Sequence, residues 1–190
     1  MNASLDHHQP IILVTGPARS GKSEWAEALA VKARKPIIYI ATSYCSEQDL
    51  DWQTRVQQHR QRRPADWTTL EVPINLANAI EKATPNTCLL IDSLGTWLAN
   101  VLDQDEDLWL QTSEKLCHSL KTCPATVILV AEETGWGVIP AYPAGRCFRD
   151  RLGRLTRQIG KCADAVYLVT AGYALNLKAL GTSIPESFND

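Results

Sequence analysis

Short apolar runs alternate along the chain with longer segments in which apolar residues recur at helical spacing. Runs of strand length occupy residues 11–15, 37–41, 88–91, 126–130 and 165–169. Amphipathic patterns typical of helices begin near Lys22 and recur at 76–82, 95–102, 108–121 and 146–162. Alternation of this kind is typical of a parallel sheet joined by crossover helices, so we predict a doubly wound α/β fold with mostly parallel strands.

The polar segments between these elements have patterns of their own. Residues 46–63 are polar, and Ser46 with Asp49 three positions later predicts a helix N-cap with an acidic first turn. Pro64 is expected to end that helix, because a proline disfavours helical geometry in the residue before it. Farther along, the Gly- and Pro-rich residues 132–145 predict a long functional loop.

The chain length sets the domain organisation. Its 190 residues are enough for one α/β domain with a substantial core and too few for two. No internal repeat, low-complexity tract or linker interrupts the pattern. We therefore expect a single domain over residues 11–180, with a flexible N-terminal extension at 1–10 and a C-terminal tail at 181–190.

Composition and charge narrow the class of protein. The formal net charge of −2 argues against a nucleic-acid partner. The N-terminus lacks the basic start and apolar stretch of a signal peptide, and no segment approaches the roughly 18 consecutive apolar residues of a membrane span. These features predict a cytoplasmic protein with no membrane span. None of the six cysteines forms a Cys-x-x-Cys pair, so free thiols are expected.

One segment carries a recognisable chemical motif. Residues 16–23 match the pattern Gly-x-x-x-x-Gly-Lys-Ser/Thr at every fixed position, between a predicted strand and a predicted helix. Such a loop directs several backbone N–H groups at a phosphate, and the helix that follows adds its positive end. Lys22 is expected to reach the β- and γ-phosphates, and the Ser23 hydroxyl to coordinate Mg²⁺. The predicted nucleotide-binding residues here are Gly16, Pro17, Ala18, Arg19, Ser20, Gly21, Lys22 and Ser23.

Asp92 is the expected partner of this phosphate loop. It ends the apolar run at 88–91, and this is the place where P-loop enzymes carry the carboxylate that holds Mg²⁺. An ordinary helix-capping aspartate after a strand is the alternative. We predict a P-loop NTPase-type fold in which Ser23 and Asp92 hold the metal.

The most basic segment of the chain contains one histidine. If residues 55–63 are helical, one face carries Arg55, His59, Arg62 and Arg63. The cations would favour polyphosphate and would lower the pKa of the imidazole, so that His59 stays neutral and nucleophilic. The spacing is equally compatible with a solvated basic helix and an incidental histidine. Nucleic-acid binding is disfavoured by the small net basic charge.

Further motifs follow one another in order through almost the whole chain, from Ile11 to Lys178. The segments are Gly16-x-Ala18-Arg19-Ser20-Gly21-Lys22-Ser23, Tyr39-Ile40-Ala41-Thr42, Arg55-Val56-x-x-His59 with Arg63-Pro64, Trp67-x-Thr69-x-Glu71-x-Pro73, Asp92-Ser93-Leu94-x-Thr96-Trp97-Leu98-x-Asn100, Glu133-x-Gly135-x-Gly137-Val138-Ile139-Pro140, Phe148-Arg149-Asp150-x-x-Gly153 and Ala163-Asp164-x-Val166-Tyr167. On these segments the chain resembles the bifunctional adenosylcobinamide kinase / adenosylcobinamide-phosphate guanylyltransferase family of cobalamin biosynthesis.

The resemblance implies a two-step enzyme. ATP or GTP would phosphorylate the aminopropanol hydroxyl of adenosylcobinamide, and GTP would then supply GMP through a GMP-histidine intermediate to give adenosylcobinamide-GDP. The guanylylated histidine of the family falls on His59, and Arg60 and Arg63 would bind the displaced charge. By the same matching, the residues that help hold the guanine nucleotide or its Mg²⁺ are Thr42, Ser43, Glu71 and Asp92. The resemblance also implies a homotrimer.

Three departures from the family pattern stand out. Pro17 occupies the place of a second glycine, which stiffens the phosphate loop. Ala131-Glu132 replaces a typical Ser-Asn, and Thr156-Arg157 replaces a typical Asn-Gln. We expect the last two changes to lie in a loop and a helix on the corrinoid side or at a subunit contact, leaving the nucleotide machinery intact.

Two other functions remain compatible with the phosphate loop. One is a kinase for another small alcohol that transfers no guanylyl group, in which His59 has no catalytic role. The other is a GTP- or ATP-driven switch that binds a protein partner. The chain has no Asn-Lys-x-Asp segment of the kind that guanine-reading switch proteins use, which disfavours the switch.

Overall fold

The computed structural model describes residues 9–43 and 64–185. Within them the chain forms seven strands and six helices. The strands are β1 (Ile11–Gly16), β2 (Ile37–Ala41), β3 (Thr68–Glu71), β4 (Cys88–Asp92), β5 (Thr126–Glu132), β6 (Ala165–Thr170) and β7 (Tyr173–Asn176). The helices are α1 (Lys22–Lys32), α2 (Leu76–Glu81), α3 (Leu94–Asn100), α4 (Glu106–Thr122), α5 (Pro143–Cys162) and α6 (Leu177–Leu180).

The strands form one sheet in the order β3-β2-β4-β5-β1-β6-β7. All neighbouring pairs are parallel except β6 with β7, which is antiparallel. Strands buried on both faces need apolar residues at successive positions, which explains the continuous apolar runs in the sequence. The predicted α/β fold with a mostly parallel sheet is confirmed, and it is consistent with a P-loop NTPase-type fold.

Helices cover both faces of the sheet. On one face Val14 of β1 packs with Ala26 and Ala30 of α1 in a buried apolar cluster. On the other face the adjacent Leu13 belongs to a larger cluster, which includes Trp97 of α3 and residues of α2, α4 and α5. The two faces of one strand therefore belong to two cores, as the doubly wound architecture requires. None of the helices within 9–43 and 64–185 is long and apolar enough to cross a membrane.

Capping residues explain where several helices begin. Ser93 caps α3, since its hydroxyl accepts from the backbone N–H of Thr96. Asp105 caps α4 by accepting from the backbone N–H of Leu108 at 2.9 Å. Helix α5 begins at Pro143, three residues before the predicted start, because a proline is favourable in the first helical turn. The predicted functional loop is correspondingly shorter.

Strands β5 and β7 also differ from the sequence-based expectation. Strand β5 continues through Glu132, which the pattern placed in a loop, because Glu132 pairs in register with Gly16 of β1. Strand β7 was not expected at all. It follows β6 through the two-residue turn Ala171-Gly172, whose φ angles are 49° and 80°. Two positive φ values are typical of the hairpin turns that suit twisted strands, but Ala-Gly is a weaker sequence signal than Asn-Gly.

Candidate functional site

The carboxyl ends of five strands bring the predicted site residues to one edge of the sheet. In register, Gly16 at the end of β1 lies beside Glu132 of β5. Asp92 at the end of β4 lies beside Ala41 of β2, and Ala41 lies beside Glu71 of β3. In sheets of this kind ligands bind beyond the carboxyl ends of the strands. The candidate site is therefore this edge.

The phosphate loop connects β1 to α1 in a conformation suited to anions. Arg19 and Gly21 have positive φ angles of 58° and 90°. The backbone N–H of Ser20 donates to the carbonyl of Pro17 at 3.3 Å, which closes a tight turn. Alternation of right- and left-handed backbone makes successive N–H groups converge, which is the geometry of a backbone anion site. Helix α1 then begins at Lys22 and adds its positive end.

Gly16 is required by the close approach of another strand. A Cβ atom placed on it would lie 2.3 Å from the backbone oxygen of Val169 in β6 and 2.7 Å from the Ser20 hydroxyl. Any side chain here would force the loop away from the sheet. The first fixed glycine of the motif therefore serves packing at the base of the loop.

Two polar groups of the loop fit a phosphate ligand. The ammonium of Lys22 lies 3.3 Å from the carbonyl oxygen of Pro17, so the lysine folds over the loop. The Ser20 hydroxyl is buried and has no hydrogen-bond partner among the described residues. A buried hydroxyl without a partner costs free energy. A phosphate oxygen bound in the loop would accept a hydrogen bond from this hydroxyl and remove that cost.

Asp92 is positioned by a tyrosine from the neighbouring strand. The hydroxyl of Tyr39 in β2 donates to Oδ2 of Asp92 at 2.9 Å. The helix that follows is capped by Ser93, so Asp92 is not the helix-capping aspartate of the alternative interpretation. Its carboxylate ends a buried strand at the same sheet edge as the phosphate loop, which suits a magnesium ligand.

Thr42 connects the end of β2 to the start of α3. Its buried hydroxyl donates to the carbonyl of Ser93 at 2.7 Å and accepts from the backbone N–H of Ser93 at 2.9 Å. It also lies 2.7 Å from the hydroxyl of Thr96, and Asn100 donates to the Thr42 carbonyl at 2.7 Å. These contacts fix the segment that follows Asp92. The direct role of Thr42 in nucleotide binding stays a prediction.

Glu132 lies in this network, although the sequence placed it in a loop on the corrinoid side or at a subunit contact. Its Oε1 accepts a short hydrogen bond from the Ser93 hydroxyl, and its Oε2 accepts from the backbone N–H of Gly95 at 2.9 Å. Burial raises the pKa of Glu132, and the hydrogen bond from Ser93 opposes that shift. The charge of Asp92 raises this pKa further and that of Lys22 lowers it, so both charged groups lie near Glu132. The placement of residue 132 in a loop was wrong, because it ends β5 and pairs with Gly16. That the departure leaves the nucleotide machinery intact stays a prediction.

The residue after Glu132 ties the same chain segment to the phosphate loop. The Thr15 hydroxyl donates to Oε1 of Glu133 at 2.8 Å, and the Glu133 backbone N–H donates to the Gly16 carbonyl at 2.9 Å. The sequence marked Glu133 only as part of a motif. Its place beside the loop depends on the pairing of β5 with β1, which no local pattern reveals.

The remaining predicted residues are placed less fully. Ser43 follows Thr42, and Glu71 is exposed at the end of the edge strand β3. His59, Arg60 and Arg63 lie outside the described residues, as does the predicted helix at 46–63. The roles of all these residues stay predictions.

The described cysteines are free thiols, as expected. Burial raises the pKa of Cys88 and of Cys117 to about 11. Because the thiolate is the nucleophilic form, these two cysteines are poor nucleophiles near neutral pH.

Comparison with known proteins identifies the family. A family model described as cobinamide kinase / cobinamide phosphate guanyltransferase matches residues 12–177. The chain is 39% identical over 168 residues to the bifunctional adenosylcobalamin biosynthesis protein CobP of Pseudomonas aeruginosa, covering 87% of this chain and 96% of that protein. It is 37% identical to the bifunctional adenosylcobalamin biosynthesis protein CobU of Escherichia coli, covering 88% and 99%. The protein of that name from Salmonella typhimurium is 34% identical with the same coverage.

A solved structure supports the fold alone. A protein from Pyrococcus horikoshii OT3 superposes with a TM-score of 0.57 at 6% sequence identity. The match covers 96% of this chain and 95% of that one. The described architecture is therefore shared far beyond detectable sequence similarity.

Proposed function

The chain belongs to the cobinamide kinase / cobinamide phosphate guanyltransferase family, and we infer that it is a bifunctional enzyme of adenosylcobalamin biosynthesis. It phosphorylates adenosylcobinamide with ATP or GTP and then transfers GMP from GTP to give adenosylcobinamide-GDP. One observation carries this conclusion: a complete phosphate loop, with Lys22 folded over it, lies at the sheet edge where Asp92 ends β4. The family match spans the same elements.

In the kinase step the phosphate loop holds the nucleotide. The hydroxyl oxygen of the aminopropanol arm attacks the γ-phosphorus, the bond to the β–γ bridging oxygen breaks, and the hydroxyl proton is released. Lys22 and the loop N–H groups stabilise the charge that develops on the phosphate oxygens. Since the chemistry needs little more than positioning and charge, these loop groups supply the main catalytic contribution.

Ser23 and Asp92 are the proposed Mg²⁺ residues. A hydroxyl in the first turn of α1 and a carboxylate at the end of β4 are the oxygen donors that Mg²⁺ prefers, and Tyr39 holds the carboxylate in place. When bound, the ion neutralises charge on the nucleotide phosphates. These residues fit a cation that is held by few protein ligands together with the substrate.

In the guanylyl step His59 is the proposed nucleophile. An imidazole nitrogen forms a bond to the α-phosphorus of GTP, the bond to the α–β bridging oxygen breaks, and pyrophosphate leaves. A phosphate oxygen of adenosylcobinamide phosphate then attacks the same phosphorus and releases the histidine. Arg60 and Arg63 bind the charge of the leaving group, and Thr42, Ser43 and Glu71 help hold the guanine nucleotide. Support for these roles is the motif match at those positions, and we propose a homotrimer on the same ground.

The test uses GTP labelled at the α- or the γ-phosphorus. The purified protein is incubated with Mg²⁺ and each nucleotide, then denatured and assayed for covalent label. His59→Ala is compared with His118→Ala, an exposed histidine near the end of α4. We expect acid-labile, alkali-stable label from the α-position only, retained in His118→Ala and lost in His59→Ala. Added adenosylcobinamide should also acquire label from the γ-position.

Other outcomes separate the rival functions. Transfer of the γ-label to an acceptor without covalent α-label would leave a simple kinase of a small alcohol. Release of free phosphate with no acceptor product would indicate a switch protein. Either result would contradict the guanylyl step.

A further inference from the structure

The carboxylate of Glu132 bridges two parts of the site. Its residue pairs in register with Gly16, the first residue of the phosphate loop. Its two oxygens accept from the Ser93 hydroxyl and from the backbone N–H of Gly95. Ser93 directly follows Asp92, so a single side chain links β5, the strand paired with the loop-bearing β1, to the segment that carries the proposed magnesium carboxylate.

Gly95 makes this arrangement possible. It is buried, and a Cβ atom placed on it would lie 2.2 Å from Oε2 and 2.8 Å from Cδ of Glu132. Real Cβ atoms essentially never approach a nonbonded atom this closely, so the glycine provides the space that the carboxylate occupies. The atoms in the way are the end of a flexible side chain. An alanine would therefore displace the carboxylate and leave the backbone in place.

Position 132 departs from the pattern of the family that the sequence resembles. The family that the sequence resembles typically carries asparagine at position 132, which is one methylene shorter and uncharged. A glutamate reaches farther from β5, and here it spans to the first turn of α3. The surrounding network of Thr42 and Thr96 already fixes the carbonyl and the backbone N–H of Ser93. Glu132 adds the connection to β5.

We propose that Glu132, seated against Gly95, is a positioning residue that holds the Asp92–Ser93 segment in place relative to the phosphate loop. The Asp92–Ser93 segment then does not have to rearrange when the Mg²⁺-nucleotide complex binds. The inference rests on the proposed function, because it assumes that Asp92 serves the metal. Groups that orient a metal-binding carboxylate from behind typically contribute about 10- to 100-fold to metal affinity.

The test measures nucleotide affinity with and without Mg²⁺. A fluorescent GTP analogue is titrated into the wild type, Gly95→Ala, Glu132→Ala, the double variant Gly95→Ala/Glu132→Ala, and Glu132→Gln. We expect Gly95→Ala and Glu132→Ala each to weaken binding about tenfold in Mg²⁺. In EDTA their affinity should match that of the wild type, because the phosphate loop itself is unchanged.

The double variant tests whether the two residues act through one contact. With the carboxylate already removed, the alanine at position 95 has little left to displace, so the double variant should bind as Glu132→Ala does. Independent effects would instead multiply, giving about a hundredfold loss. Multiplication would overturn the proposal.

Glu132→Gln separates position from charge. Its amide oxygen can accept from the backbone N–H of Gly95 and its amide nitrogen can donate to the Ser93 hydroxyl. We expect it to recover most of the Mg²⁺-dependent affinity that Glu132→Ala loses. Glutamine binding as poorly as alanine would show that the charge itself is needed and would contradict a positioning role.

The inference and the proposed function fail in different ways. A wild-type protein that binds the nucleotide more tightly in Mg²⁺ but transfers neither phosphoryl nor guanylyl groups would contradict the proposed function and still allow the comparison. Transferase activity with no change of Mg²⁺-dependent affinity in Gly95→Ala would contradict only the inference.

Discussion

Glu132 is a carboxyl group held where burial opposes its charge. Its pKa is raised above the ordinary value of 4.5, with burial as the largest cause. The folded state therefore binds a proton at Glu132 more readily than the unfolded chain does. Above the raised pKa the ionised carboxylate reduces the stability of the fold, and this cost disappears as the pH falls below the ordinary value.

Glu132→Gln should consequently stabilise the protein at neutral pH. Glutamine resembles the protonated form and retains both hydrogen bonds, so we expect a higher denaturant midpoint than the wild type at pH 8. The advantage should shrink as the pH is lowered and vanish near pH 4. Urea denaturation at several pH values measures it. Glu114→Gln, at an exposed position of α4, controls for the loss of one negative charge. A glutamine variant less stable than the wild type at pH 8 would contradict this account.

Some residues of the candidate site could be predicted from the sequence and others could not. Residues 16–23 and Asp92 could be predicted because their chemistry is encoded in a local motif and in the end of an apolar strand. Glu132 could not, because its partners Ser93 and Gly95 lie 39 and 37 residues away in sequence. Only the adjacency of β4 and β5 brings them together. The one signal was that position 132 departs from the family pattern.

At the scale of elements, the central strands were easier to predict than the residues at which strands begin and end. Strands β1, β4 and β5 were predicted from apolar runs because both of their faces are buried. Element ends were less predictable, since a polar residue such as Glu132 continues a strand when a neighbouring strand offers hydrogen bonds. Strand β7 escaped prediction because it has one neighbour and alternates between exposed and partly buried positions.

Replacement by alanine should change the stability of the fold in opposite directions at Gly16 and at Gly153. Gly16→Ala brings a Cβ atom against the backbone of β6, so we expect it to destabilise the fold by about 1–3 kcal/mol and to abolish nucleotide binding. Gly153→Ala lies within α5, where an added Cβ atom would have no neighbour within 4 Å. Alanine is the better helix former, so this variant should be more stable by about 0.5–1 kcal/mol.

Denaturation midpoints and titration with a nucleotide analogue measure both variants. The pair is matched, since each change adds one methyl group in place of a hydrogen atom. Equal stability effects in the two variants would mean that the close approach of Val169 does not constrain the phosphate loop.

For the whole molecule, the strand order decides where chemistry occurs. The parallel strands β1 to β6 place their carboxyl ends on the same side, and residues far apart in sequence converge there. The order β4-β5-β1 puts the phosphate loop two strands away from Asp92, with Glu132 on the strand between them. The site is thus a product of topology as much as of motif, which is why the sequence located the loop but not its surroundings.

Nucleotide binding at this edge should stabilise the whole fold. The proposed ligand-binding groups on β1, α1 and β4 are dispersed in the unfolded chain, so binding would be linked to folding. At a free ligand concentration of about 100 times Kd, the free energy of unfolding should rise by roughly 2.7 kcal/mol. For a domain of this size, 1 kcal/mol corresponds to about 2–4 °C, so a shift in Tm of about 5–10 °C is expected with Mg²⁺-GTP.

The matched variants are two lysines of helix α1. Lys22 folds over the phosphate loop at the start of the helix, whereas Lys32 is exposed at the other end, near the ring of Trp25. Lys22→Ala should lose most of the nucleotide-dependent rise in Tm, because the ammonium that neutralises the phosphates is gone. Lys32→Ala should keep it, since the same charge is removed far from the loop. A full Tm shift in Lys22→Ala would mean that the nucleotide binds elsewhere in the molecule. An equal loss of the Tm shift in both variants would mean that the loss reflects only the change in net charge.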